Sequence, residues 1–101
     1  MISISVFQLI FTPEAKADVK NAASYYDSQL HGLGKRFKNE VERQLALLKQ
    51  NPHTRTVRYD GVRLAVINKF PYSIHYTIYG NQVIIHAVIC DYRNPDEYWV
   101  K

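Results

Sequence analysis

The hydrophobic rhythm of this chain changes at Asn51-Pro52. From Pro13 to Gln50 apolar residues return every three or four positions; from Val62 to Cys90 they alternate. The first spacing keeps one face of a helix apolar, and the second keeps one face of a strand apolar. The asparagine–proline step ends the helical stretch, because the residue before a proline is pushed out of the helical region. The chain must therefore fold as a helical part laid against a sheet.

The helical part divides at His31-Gly32. Thr12 is a natural N-cap, Pro13 suits the first turn, and Glu14 faces the positive end of the helix dipole. The first helix runs to about Leu30, with a stripe of Ala15, Val19, Ala22, Ala23, Tyr26 and Leu30. Its small alanines allow another element to come close. The second runs to about Gln50, with Leu33, Phe37, Val41, Leu45 and Leu48 on one side and Arg36/Glu40 and Lys38/Glu42 as i,i+4 pairs on the other. A link this short makes an antiparallel helical hairpin.

Ile2 to Phe11 reads as a strand before the helices. After Pro52, Arg55 to Tyr59 is a short strand or extended loop, turning at Asp60-Gly61. Three strands follow: Val62 to Asn68, Tyr72 to Tyr79 and Gln82 to Cys90, the last two joined by the hairpin signal Gly80-Asn81. The order is β-α-α-β-β-β. The expected fold class is α+β, a single domain over residues 1–101 with the helical hairpin on one face of a mainly antiparallel sheet.

Pairing Tyr79 with Gln82 sets Ile78 against Val83, Tyr76 against Ile85, Ile74 against Ala87 and Tyr72 against Ile89. That face is apolar and belongs under the helices. The other face then pairs Thr77 with Ile84, His75 with His86 and Ser73 with Val88, and also carries Cys90. If Val62, Leu64 and Val66 face the helices, Lys69-Phe70-Pro71 connects the strands and Arg63 falls opposite Thr77. The expectation is an uncovered face that gathers Arg63, His75, His86 and Lys69, with Tyr92 and Arg93 at its rim. Asn94-Pro95 opens a short terminal turn, after which Tyr98 and Trp99 fold back onto the sheet edge or wait for a partner.

Composition narrows the class of function. The 101 residues carry 47% hydrophobic residues and no low-complexity tract, enough for one core. No apolar run reaches membrane-spanning length, and MISISVFQLIF lacks the basic start of a signal peptide. The lone cysteine, Cys90, permits no intrachain disulfide, so the cytoplasm is the expected compartment. A net charge of +4 and a pI near 9.3 lean toward a polyanion or an acidic partner. No nucleotide-binding, hydrolase or zinc-protease motif is present. His75 and His86 lack a third ligand of the right type and spacing, so neither a metal nor a cofactor is expected.

Taken together, FTPEAKADVKNAASYY, LGKRFKNEVERQLALLKQNP, the GVR of Gly61 to Arg63, FPYSIHYTI and AVICDYRNPDEYW resemble, in order and spacing, toxins of the RelE/ParE superfamily of bacterial type II toxin–antitoxin systems. The resemblance spans nearly the whole chain. It implies a microbial ribonuclease-like fold, a cognate antitoxin that wraps the toxin, and growth inhibition through DNA gyrase (ParE-like) or through cleavage of mRNA on the ribosome (RelE-like). Carried over by position, Arg63 matches the basic residue of a Gly-x-Arg element and Arg93 the arginine before the closing Asn-Pro, with Tyr92 beside it. Where many relatives have a histidine, five residues before that proline, this chain has Cys90, a poor general base at neutral pH. The basic residues of the second helix, Lys35, Arg36, Lys38, Arg43 and Lys49, are interleaved with Glu40 and Glu42.

Both departures favour the gyrase-directed reading, with Arg63, Lys69, His75, His86 and Arg93 as contact residues. The alternative is an mRNA endonuclease in which Arg63, Arg93 and Tyr92 are catalytic. A third reading is an inert interaction module of the same fold. Expected assemblies are a toxin–antitoxin hetero-oligomer or a homodimer, with no membrane partner.

Overall fold

The structure is a computed structural model and describes residues 7–91. β1 (Gln8–Phe11) leads into α1 (Pro13–Gln29) and α2 (Leu33–Gln50). A single 3-10 turn (Pro52–Thr54) then precedes β2 (Val57–Tyr59), β3 (Val62–Val66), β4 (Tyr72–Tyr79) and β5 (Gln82–Cys90). The strands form one sheet in the order β1-β5-β4-β3-β2. β1 runs parallel to β5 and every other pairing is antiparallel. This is the expected α+β arrangement, with the 55–59 stretch resolved as a short edge strand.

Local chemistry sets the helix ends. The Thr12 hydroxyl accepts from the Ala15 amide at 3.1 Å, and Pro13 occupies the first turn. α2 begins without a side-chain cap of its own. Instead Asp27 at the end of α1 reaches across the turn, and one carboxylate oxygen accepts from the amides of Gly32 and Gly34, each at 3.0 Å. Gly34 lets the helices close: a Cβ there would stand 2.3 Å from the Ala23 carbonyl oxygen.

The core lies between this hairpin and the sheet. Ala15, Ala22, Ala23 and Tyr26 of α1 and Phe37, Val41 and Leu48 of α2 meet Ile74, Tyr76, Val83, Ile85 and Val88. Leu30, expected on the apolar stripe, is instead 60% exposed because α1 has ended before it. Tyr26, Phe37, Phe70 and Tyr72 form an aromatic cluster with edge contacts such as Tyr26–Phe70 at 4.9 Å and Phe37–Tyr72 at 5.2 Å. Burial raises the Tyr72 and Tyr76 phenols above their usual values, so both stay neutral. The Tyr76 hydroxyl donates to the Pro52 carbonyl at 2.7 Å, tying the centre of the sheet to the end of α2.

Two register differences change which residues share a face. The β4–β5 ladder follows expectation from Tyr79–Gln82 to Tyr76–Ile85 and then meets a bulge: His75 pairs with Ala87, Ile74 with Val88, Ser73 with Ile89 and Tyr72 with Cys90. His86 is the extra residue, so everything beyond it changes sides. Val88 is buried, Ile89 is 45% exposed, and Cys90 packs partly buried against the core on the helix side. The second difference is in β3, which pairs Arg63 with Tyr76, Leu64 with His75, Ala65 with Ile74 and Val66 with Ser73. Arg63, Ala65 and Ile67 therefore share the helix-side parity, and Val62, Leu64 and Val66 take the open one.

The bulge is held from α1. The Thr12 hydroxyl donates to the His86 carbonyl at 3.1 Å, and an Asp18 carboxylate oxygen accepts from the Val88 amide at 3.0 Å. β1 stops opposite Ile85, so these side chains satisfy backbone groups of β5 that no strand reaches.

Candidate functional site

The uncovered face of the sheet is built from alternate residues of its strands. β3 contributes Val62, Leu64 and Val66; β4 contributes Ser73, His75, Thr77 and Tyr79. β5 contributes Ile84, Ala87 and Ile89, with the His86 ring reaching the same side. No lysine or arginine of these strands lies on it. The expectation of a cationic face is thereby corrected: apart from the Asp91 carboxylate that accepts from Ser73, the surface is part apolar and part imidazole and hydroxyl.

The two histidines share that face without facing one another. The bulge sets His75 opposite Ala87, and each ring has its own partner. The Tyr59 hydroxyl and His75 Nδ1 are hydrogen-bonded at 3.0 Å, with Tyr59 reaching over from β2. Thr77 Oγ1 and His86 Nε2 are bonded at 2.7 Å. Burial holds the His75 ring below its usual pKa, against the opposing pull of Asp91 and Asp18. Tyr59 went unnoticed in the sequence because its route to His75 depends on the irregular pairing of β2 with β3.

Arg63 lies elsewhere. Its guanidinium donates to the His53 carbonyl at 3.4 Å and to the Arg55 carbonyl, bracing the segment that follows α2. A long side chain can take an inward parity at the end of a strand where its head turns to carbonyls and its stem covers apolar surface. Arg55 in turn donates to Gln44 at 3.0 Å and Thr54 at 2.9 Å. Lys69 is also away from the open face. It has a left-handed backbone (φ 71) in the β3–β4 loop and lines a hollow with Tyr26, Leu33, Arg36, Glu40 and Phe70. Tyr92, Arg93, Asn94, Tyr98 and Trp99 lie outside the described residues. Among the described residues no three metal-ligating side chains come together, and no helix is long and apolar enough to cross a membrane.

A second surface emerges from the helices. Beside the end of β1, α1 and α2 leave an open groove of about 510 Å³ with a floor of Phe11, Val19, Val41 and Leu45. Lys16, Lys20 and Lys38 stand exposed on its rim, with Glu42 the one acid among the lining residues. Lys16 and Lys20, one turn apart and flanking Val19, were its visible trace in the sequence. The groove itself requires the crossing of the two helices.

Comparison with known proteins agrees with this architecture. A solved structure described as a chromosomal ParDE TA system from P. aeruginosa superposes with a TM-score of 0.74 at 19% sequence identity, covering 83% of this chain and 95% of that one. No curated protein matches the chain. The family described as ParE toxin of type II toxin-antitoxin system, parDE, matches residues 9–95, from β1 to the proline beyond β5. The chain belongs to the ParE toxin family of type II toxin–antitoxin systems.

Proposed function

We propose that this toxin acts in the cytoplasm by poisoning DNA gyrase, and that a cognate antitoxin silences it. The observation that carries the gyrase-directed reading is the separation of Arg63 from the imidazoles. Cleaving a phosphodiester without metal needs a cation at the phosphorus and a proton-transfer group at the same bond. Here the Arg63 guanidinium is committed to main-chain carbonyls on the other side of the sheet from His75 and His86. Target contact falls to His75 and His86 on the open face; Arg63 and Lys69 lie away from it, and Arg93 is outside the described residues. The mRNA endonuclease, with Arg63, Arg93 and Tyr92 as its catalysts and the ribosome as its partner, is the reading this one displaces.

The antitoxin fits the α1–α2 groove. Its apolar floor and lysine rim complement an amphipathic helix carrying acidic flanks. Two experiments test the pair of claims. Induced expression in a bacterium should arrest growth with gyrase-linked DNA breaks; arrest with ribosome-associated transcript cuts and intact DNA would overturn the gyrase reading. A His75→Ala/His86→Ala variant that melts like the wild type should lose arrest; undiminished arrest would remove these imidazoles from target contact. Copurification with the product of the neighbouring gene should fail for a Lys20→Glu/Lys38→Glu variant; unaffected copurification would remove the groove from the proposal.

A further inference from the structure

The acids and bases of the helical hairpin nearly balance in the sequence, but not on its surface. Asp18 turns in to accept from the Val88 amide, one oxygen of Asp27 is held by the amides of Gly32 and Gly34, and the Glu40 side chain is 15% exposed. Lys16, Lys20, Lys35 and Lys38 all stand in solvent, and none has a carboxylate within ion-pair reach among the described residues. These lysines are unevenly placed. A second hollow, of about 690 Å³, lies at the hairpin turn and shares Lys20 and Lys38 with the groove. Lys35 joins them there, small Ala23 and Gly34 lie between, and Asp27 is the one acid among its lining residues. Glu42, the acid of the groove, sits one turn beyond Lys38 and away from the hairpin turn, on the side of Phe11, Lys16 and Leu45. Joined end to end, the two hollows make one channel whose charge has a direction: apolar and balanced near β1, cationic toward Gly32.

That direction selects the form of the occupant. Given the groove as the antitoxin's seat, we infer that the acidic residues of the antitoxin segment are gathered beyond one end of its apolar stripe, over Lys20, Lys35 and Lys38 at the hairpin turn. Leu45 and Lys35 are ten residues apart on α2, about 15 Å along its axis, so the stripe and the acidic run fit one helix of about three turns. A nucleic-acid backbone would match the lysines and leave Phe11, Val19 and Leu45 without a partner. The two ends act at different moments of binding. Exposed charge attracts from a distance and sets the rate of encounter. Apolar contact at the other end sets the rate of release.

Stopped-flow mixing of the full chain with the purified product of the neighbouring gene, at several salt concentrations, tests this. Wild-type association should slow as salt rises. Lys35→Gln, in the second hollow alone, should slow association about two- to fivefold, flatten its salt dependence and leave dissociation nearly unchanged. Leu45→Ala should speed dissociation at every salt concentration. Arg43→Gln removes the same charge from an exposed site outside both hollows and should change neither rate. Equal slowing by Arg43→Gln and Lys35→Gln would reduce the effect to net charge and overturn the proposal. Release of the bound antitoxin by duplex DNA would give the lysines to nucleic acid and overturn it equally. If Leu45→Ala speeds release while Lys35→Gln leaves association alone, the groove stands and its direction falls. If neither variant, folded by circular dichroism, changes either rate, the groove reading falls and takes this proposal with it.

Discussion

The two faces of this sheet are made from the same strands and obey different rules. Beneath the helices Ile74, Tyr76, Val83 and Ile85 are fully buried, and each has a fixed neighbour. On the other side Val66, Tyr79 and Ile89 stand in solvent. The covered face is specified by packing, where one methylene matters. The open face is specified only by what the covered face forces on it, so its side chains are free to change in the service of contact. Substitutions should therefore separate the two faces by size of effect.

The largest effect belongs to the covered side. Gly34→Val should cost about 3 kcal/mol or more, because the new Cβ meets the backbone oxygen of Ala23 and neither helix can yield without parting. Urea unfolding measures it; a loss under about 1 kcal/mol would mean that the helices are not held at this distance. Asp18→Ala comes next. It strips the Val88 amide of its charged acceptor where the edge of β5 is otherwise unpaired, at an expected cost of about 1.5–3 kcal/mol. Wild-type stability in that variant would show that the bulge holds itself.

A smaller difference should appear with pH. Above about 6.5 both the folded and unfolded chains hold His75 neutral. Below that value the unfolded chain takes up the proton first, since burial depresses the folded pKa. Stability should then fall on acidification until the folded ring titrates as well. His75→Gln should flatten this part of the curve; an unchanged slope would place the linkage elsewhere. The smallest effect is expected on the open face: Val66→Thr should alter stability by no more than about 0.5 kcal/mol. A large loss there would erase the distinction between the faces.

The sequence was legible where one pattern had a single solution. Thr12-Pro13, Asn51-Pro52 and Gly80-Asn81 mark real boundaries, and Tyr79 to Tyr76 pair as alternation dictates. It misled where two solutions compete. In β3 both parities offer apolar residues, Val62, Leu64 and Val66 or Ala65 and Ile67. Size favours the first set, yet the second is what the fold buries, with Ala65 fully buried and Ile67 1% exposed. Arg63 looked like an outward residue because charge usually means solvent. It lies inward in parity because α2 has ended and the carbonyls of His53 and Arg55 await it. The bulge had no compositional sign, since its anchors Thr12 and Asp18 lie some seventy residues upstream of the backbone they hold. The groove of lysines on the helices was hidden for a similar reason: its two walls come from separate helices.

The extra residue at His86 also gives β5 a slack length that its neighbour β4 lacks. A ladder with strict alternation cannot lose a residue without turning its remainder inside out. Here one residue can go from the bulge while Ile85 and Val88 stay inside and Ile89 outside, because the shortened strand becomes the regular one. Loss of a codon at that point would straighten the sheet and free Thr12, while a loss in the middle of β4 would exchange interior for surface.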